Sequence, residues 1–304
     1  MRIIKKFDRW IPDNDKLDSG KGKKVWLSNP NNEKMCGWFK YVKMTYTKED
    51  KEKLIPTYEN VSEKIAELIA NELQIHNAKI DIGTYNGHLG CLSYNILGER
   101  RTMTEGISYI SRCYPKYDIS TGVDLDSKTY YGIEIILNSL RTKELKNEFL
   151  KIMIFDFIIG NSDRHSNNWA IIKTKSGKEY FAPLYDNGSS LCSFVSETEI
   201  DSYLGKDKMK LSSLVDTKSR TLIRIDGTKA KIPSHKEVLK YLRKEYYDET
   251  IEFVEVIIRK LTDEKIDDIL RCVNEYISHK RSMLLKRFLI EKVKILKEIY
   301  KRGD

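Results

Sequence analysis

The first hundred residues carry short apolar runs broken by polar and turn-forming residues, and they read as mostly β. The segments "RIIKKFDRW" (2–10) and "KKVWLSNP" (23–30) read as strands, with "DNDKLDSGKG" (13–22) as a glycine-containing turn between them. "KMCGWFKYVKM" (34–44) reads as a third strand, rich in aromatic residues. The period then changes: Val61, Ile65, Leu68, Ile69 and Leu73 recur at three- and four-residue spacing, which predicts a helix over 57–75. "AKIDIGTYNGHLGCLSYNIL" (78–97) follows as a hairpin turning at Asn86–Gly87. The predicted order is β-β-β-α-β-β.

After Gly98 the character shifts. "GERRTMTEG" (98–106) is polar and reads as a linker. "YYGIEIILNSL" (130–140) and "TKELKNEFLKIMIFDFIIG" (142–160) read as helices, the second apolar on most faces and so buried. "NWAIIKTKSGKEYFAPLYD" (168–186) reads as two short strands around Ser176–Gly177, and the chain from about Lys231 onward is helical in pattern.

Composition narrows the class. With 304 residues, 40% hydrophobic and 33% charged, the chain suits a soluble protein of one large domain or two lobes. Its longest apolar run, near 152–160, is too short to span a bilayer and is interrupted by Asp156. The N-terminus has basic residues but no secretory pattern. Five cysteines, none in a C-x-x-C pair, argue against zinc and a disulfide framework and suit reduced thiols in a cytoplasm. The net charge of +9 is spread along the chain, which favours general lysine richness over a nucleic-acid surface.

The chemistry concentrates in residues 158–191. Asp163 and Asn168 stand five residues apart on a loop after the buried helix, and Asp186 closes the second strand of the hairpin that follows. Asp or Asn alone is an ordinary turn former. Together they suit phosphoryl transfer: one carboxylate orients and deprotonates an acceptor hydroxyl, while an amide oxygen and a second carboxylate hold magnesium. The spacing D-x-x-x-x-N, hairpin, D-x-G is that of a protein-kinase catalytic loop and metal-binding aspartate.

"GNSDRHSNNW" (160–169) followed by "FAPLYDNGSSL" (181–191) resembles the HipA-type serine/threonine protein kinases, and among them the smaller CtkA-like members. The resemblance covers residues 16–191 and is most specific over 158–191. It implies an α+β, two-lobed protein-kinase-like fold, with a small β-rich N-lobe over 1–98 and a larger, mostly helical C-lobe over 99–304. It implies Asp163 as the catalytic aspartate, Asn168 and Asp186 as magnesium ligands, and ATP and Mg2+ as cofactors. "DRH" stands where eukaryotic-type kinases have "HRD", and "DNG" where they have "DFG"; Asn187 cannot make that phenylalanine's apolar contact. "DRHSNN" also resembles the loop of phosphatidylinositol kinases, so His165 reads either as a participant in chemistry or as a backbone hydrogen-bonding residue.

A kinase also needs a cation on the nucleotide phosphates, held by a helix glutamate. "GWFKYVK" offers Lys40 and Lys43, which strand alternation sends to opposite faces; the family's apolar-apolar-lysine pattern selects Lys40. The same resemblance places the partner at Glu63, with Glu67 one turn later on the same face. "DSGKGKK" (18–24) is the candidate phosphate-covering loop, with Gly20 and Gly22 permissive and Lys23 or Lys24 assisting. By the resemblance, Ser19 is a candidate for regulatory autophosphorylation. The adenine is expected between the lobes, against the hairpin ending near Leu97.

The expected partner is a protein substrate, with an antitoxin-like regulator as a further candidate. The extra N-terminal domain of larger HipA proteins does not fit before Asp18, which argues against the usual docking of such a regulator. Two rivals share the sequence: a kinase of phosphoinositides or small molecules built on the same core, and a noncatalytic basic pseudokinase that binds nucleic acid or a partner protein.

Overall fold

The computed structural model describes residues 4–13, 15, 22–46, 52–97 and 101–301. Ser19 and Gly20 lie outside them. The N-terminal part is built on strands β1 (Lys5–Lys6), β2 (Ile11–Asp13), β3 (Lys24–Asn29) and β4 (Asn32–Tyr41), a small hairpin of β5 (Met44–Tyr46) and β6 (Leu54–Pro56), helix α1 (Glu59–Glu72), and strands β7 (Ile80–Tyr85) and β8 (His88–Tyr94). Six of these strands form one sheet in the order β1-β7-β8-β4-β3-β2. The expected strand over 2–10 is reduced to Lys5–Lys6, which pair in parallel with Gly83 and Thr84. Phe7 turns inward there, into a small core with Leu27, Phe39, Tyr85 and Leu92. The β5–β6 hairpin was not expected from the sequence; each of its strands is only three residues long, too short to display a period.

The larger part begins with β9 (Thr102–Glu105) and α2 (Gly106–Cys113). The segment expected to be a linker therefore contains a strand, and that strand pairs with β13 (Ala170–Lys173), which pairs in turn with β14 (Glu179–Phe181). A three-stranded sheet, β10 (Tyr117–Asp118), β11 (Val123–Asp124) and β12 (Thr129–Tyr130), precedes α3 (Ile133–Ser139) and α4 (Lys143–Ile159). The remainder is helical: α5 (Glu197–Leu204), α6 (Lys208–Val215), α7 (His235–Glu245), α8 (Tyr247–Lys260), α9 (Asp263–Arg271) and α10 (His279–Tyr300).

Helix α4 is the axis of this part. Thr142 caps its N-terminus by accepting from the Leu145 N–H, and every residue from Ile152 to Ile159 is buried. It ends at Gly160, whose backbone is left-handed (φ 67°). A Cβ there would stand 2.9 Å from the Phe288 ring of α10, so the helix stop and the packing of α10 both require glycine. The stop releases the chain into the loop that carries Asp163.

The expected helices at 57–75 and 142–160 and the hairpin at 78–97 are all present, and the α+β class holds. Gly160→Ala is expected to lower unfolding free energy by about 1–3 kcal/mol, because a side chain is forced into the left-handed region. Gly22→Ala, where a Cβ meets nothing within 4 Å, should stay within about 0.5 kcal/mol of wild type. Urea denaturation of the two variants checks the contrast.

Candidate active site

Three segments converge on the site: β4 with α1, the loop after α4, and the segment after β14. Lys40 lies in β4 directly opposite Lys24 of β3. Its Nζ donates to Glu63 Oε1 of α1 at 2.5 Å and to Asp186 Oδ1 at 3.0 Å. Lys43 instead pairs with Glu59 at 3.3 Å, and Glu67 pairs with Lys64 at 2.5 Å. The geometry thus separates the alternatives that the sequence left open, joining Lys40 to Glu63. The Asp186 and Glu63 carboxylates outweigh the effect of burial and hold the Lys40 ammonium well above its usual pKa. Lys40 in turn holds the Asp186 carboxyl below the ordinary aspartate value.

Asp186 occupies the left-handed region (φ 57°), which Asp tolerates better than most residues, and its side chain is half exposed. The next residue, Asn187, is fully buried. Its N–H donates to Glu63 Oε2 at 3.0 Å, its Nδ2 to Asn77 Oδ1 at 3.0 Å, and its Oδ1 accepts from Arg164 Nη2 at 2.7 Å. The residue that replaces the phenylalanine of "DFG" is therefore a polar junction.

Arg164 is buried and forms the other junction. It makes a two-pronged pair with Asp156 of α4, Nε to Oδ2 at 2.9 Å and Nη2 to Oδ1 at 2.7 Å. Nη1 donates to the carbonyls of Asn168 and Tyr185 at 2.8 and 3.1 Å. One guanidinium thus joins the buried helix, the loop and the segment leading to Asp186. Asp163 sits half-buried beside it, its N–H on Asn161 Oδ1 at 3.0 Å. Burial, reinforced by Asp186, pushes the Asp163 carboxyl above its usual range, against the lowering influence of His165. His165 Nδ1 accepts from the Asn167 N–H at 3.2 Å, so that ring nitrogen serves the loop backbone.

Asn168 Nδ2 donates to the Asp163 carbonyl at 2.8 Å, which leaves Oδ1 as its acceptor atom. Asn168 Oδ1 and the Asp186 carboxylate are both oxygen donors, the kind a hard cation such as magnesium takes. Gly22 is exposed, with no close neighbour that demands glycine. Lys24 Nζ lies 5.1 Å from the centre of the Trp38 ring, and its charge contributes to lowering Asp186; Lys23 lies over Tyr41. Alternation places Trp38 on the same strand face as Lys40, so Lys24 rather than Lys23 shares the site face.

A second buried network stands behind the loop. Lys292 Nζ of α10 donates to Ser219 Oγ at 2.7 Å, Ser219 Oγ lies 3.0 Å from His235 Nδ1, and His235 Nε2 lies 2.9 Å from the Asn161 carbonyl. Burial lowers Lys292 to about 7 and His235 to about 3. Sequence reasoning missed this network, although one signal existed. Lys292 falls at apolar spacing within α10, between Phe288 and Leu289 on one side and Leu296 on the other.

Comparison with known proteins places this geometry. The pattern of the HipA-like C-terminal domain matches residues 40–251, which include Lys40, Glu63, Asp163, Arg164, Asn168, Asp186 and Asn187. The chain belongs to the HipA-like C-terminal domain family. Within 53 residues it is 40% identical to the serine/threonine-protein kinase CtkA of Helicobacter pylori, a match spanning 17% of this chain and 16% of that relative. The crystal structure of the H. pylori proinflammatory kinase CtkA superposes with a TM-score of 0.80 at 18% identity, covering 99% of this chain and 100% of that one. HipA of Shewanella oneidensis, solved with HipB and its operator DNA, superposes at 0.54 with 16% identity over 92% of this chain and 62% of its own. The HipA-like chain therefore has the two-lobed, kinase-like α+β fold expected from its sequence. No helix among its described residues is long and apolar enough to cross a membrane.

The buried lysine has a measurable consequence. Its folded pKa of about 7 lies below the value near 10.4 of an unfolded lysine. Between those values the unfolded state holds a proton that the folded state lacks, so this group makes stability rise with pH, and the gain is lost as pH falls toward 7. The stability of wild type minus that of Lys292→Met should therefore increase from pH 7 to 9 by up to about 1.4 kcal/mol per pH unit. Urea unfolding at a series of pH values measures it; a flat difference would show a lysine that stays charged.

Proposed function

We propose that this HipA-like chain is an ATP- and magnesium-dependent serine/threonine protein kinase. The observation that carries the reading is Lys40 Nζ bridging Glu63 and Asp186, which brings a cation for phosphates beside a metal-binding carboxylate. The similarity to CtkA, named as a serine/threonine-protein kinase, supports it.

In this reading Asp163 orients the acceptor hydroxyl and takes its proton, and its raised pKa makes it a stronger base than a free aspartate. Asn168 and Asp186 would hold magnesium, which when bound neutralises charge on the transferring phosphoryl group. Lys40 binds the α- and β-phosphates, and Glu63 keeps its ammonium aimed. Arg164 positions the loop without touching substrate. His165 is assigned to loop geometry on the strength of its Nδ1 contact. Gly20, Gly22 and Lys24 are assigned to the phosphate-covering loop, and Ser19 to regulatory autophosphorylation. The acceptor is a protein hydroxyl. An antitoxin-like regulator is proposed as a partner on narrower ground, the HipB-bound state of the Shewanella HipA structure.

Transfer of label from γ-labelled ATP with magnesium, to the protein itself and to a generic protein acceptor, tests the reading. Asp163→Ala is expected to lower turnover by about 10²- to 10⁴-fold, and Asp186→Ala to abolish label at working magnesium concentrations. Label that appears only on lipid or a small molecule would reassign the acceptor. Absence of nucleotide binding would indicate a pseudokinase.

A pH–rate profile gives a separate check. Activity requires ionised Asp163, so it should fall as pH drops, with the acid limb of kcat/KM lying above the ordinary aspartate pKa near 3.9.

A further inference from the structure

A half-open cavity of about 240 Å3 borders the loop that carries Asp163. Ser162, next to Asp163, and Ser189, three residues after Asp186, both line it. They are tied together, the Ser162 N–H and hydroxyl donating to the Ser189 carbonyl at 3.0 and 3.1 Å. Val195, Tyr203, Leu214 and Phe288 supply apolar lining. The volume exceeds the roughly 150 Å3 of an engineered apolar cavity that admits benzene, so one large side chain fits.

The lining is preformed. Leu191 and Cys192 both have left-handed backbone (φ 49° and 57°), which turns the chain sharply after the Asp186 segment. Buried Arg281 of α10 then holds the turned segment, donating to the Val195 carbonyl at 2.5 Å and to Glu197 Oε1 at 2.6 Å. The Ser193 carbonyl accepts from the Tyr58 N–H at 2.9 Å, tying the same segment to the start of α1.

In this lining one hydroxyl lacks a hydrogen-bond partner, and two cations lack a carboxylate. The Ser193 hydroxyl is buried and makes no hydrogen bond, which is costly unless something completes it. Lys218 is exposed and Arg220 half-buried, and among the described residues neither is ion-paired with a carboxylate. Arg220 spends one Nη1 bond on the Ile232 carbonyl, and Lys218 lies 6.0 Å from the centre of the Tyr203 ring.

We propose that this cavity seats a bulky apolar side chain of the acceptor protein, adjacent in its chain to the hydroxyl that Asp163 activates. A carboxylate of the same segment sits on Lys218 and Arg220. The proposal rests on the protein-kinase reading and names its substrate class: serine or threonine in an extended segment, with a leucine or aromatic neighbour and an acidic residue close by. An extended chain advances about 3.3–3.6 Å per residue, so a residue next to the acceptor reaches a cavity that begins at Ser162. A cavity of one side chain with two cations suits a peptide segment better than a lipid or nucleic-acid backbone, which would call for a longer basic track.

The test uses fluorescent peptides with one serine, flanked on either side by Leu, Phe or Ala, and with Asp or Lys up to three residues away. Binding to the full chain is read by anisotropy without ATP, and phosphorylation of the same peptides is read with γ-labelled ATP and magnesium. Leu or Phe with Asp should bind about tenfold tighter than the Ala counterpart. Replacing Asp by Lys should weaken binding about three- to tenfold, and Lys218→Glu or Arg220→Glu should reverse that charge preference. Equal affinities across the set, or a preference that neither substitution changes, overturn the proposal. Peptides phosphorylated without preference would leave the kinase reading standing and remove this one. Preferential binding with no transfer to any acceptor would remove the kinase reading and, with it, the assignment of the bound segment as an acceptor.

Discussion

The site depends on a single buried ion pair. Arg164 and Asp156 face each other in the interior, and each offsets the other's cost of burial. Once paired, the guanidinium still has hydrogens to place, and the protein places them on the Asn168 and Tyr185 carbonyls and on Asn187. That distribution fixes the loop relative to the segment after β14. Breaking a buried pair by removing one partner typically costs about 3–5 kcal/mol, a large share of the stability of an ordinary domain. The positions of Asp163 and Asp186 are thus set by an interaction that touches neither carboxylate.

The second constraint is the division of labour within the Glu63 carboxylate. One oxygen takes the Lys40 ammonium and the other takes the Asn187 N–H. The β4 cation, the helix α1 and the segment after Asp186 are therefore referenced to one group. Asn187 extends the reference inward to Arg164, and from there to α4. Where eukaryotic-type kinases place an apolar phenylalanine, this chain runs a continuous polar path from the sheet to the core. Its ends are charged, so its members are stronger hydrogen-bonding partners than neutral groups would be.

Most of this was legible where the signal is local. Asp163, Asn168 and Asp186 stand out by spacing within one loop and one hairpin, whereas Glu63 was chosen by the resemblance, because Glu67 shares its helix face. The choice of Lys40 over Lys43 needed the family pattern, because both follow from the same short run, and the structure separates them by their carboxylate partners. What the sequence hid was of two kinds. The β5–β6 hairpin and β9 are too short to show a period. The Lys292–Ser219–His235–Asn161 network joins residues as many as 74 apart, so it has no spacing to read. In a lysine-rich chain Lys292 does not stand out by residue type, although its helical position is that of a core residue.

The polar junction at Asn187 also bears on switching. A helix held only by apolar packing can slide or rotate at modest cost. Here, outward movement of α1 would strip Lys40 and the Asn187 N–H of Glu63, two charge-assisted bonds at about 1.5–3 kcal/mol each. It would also tear the Tyr58 N–H from the Ser193 carbonyl. Helix α1 is thus the part of this architecture least suited to toggling. Control of such a chain is cheapest at elements that can move without touching Glu63.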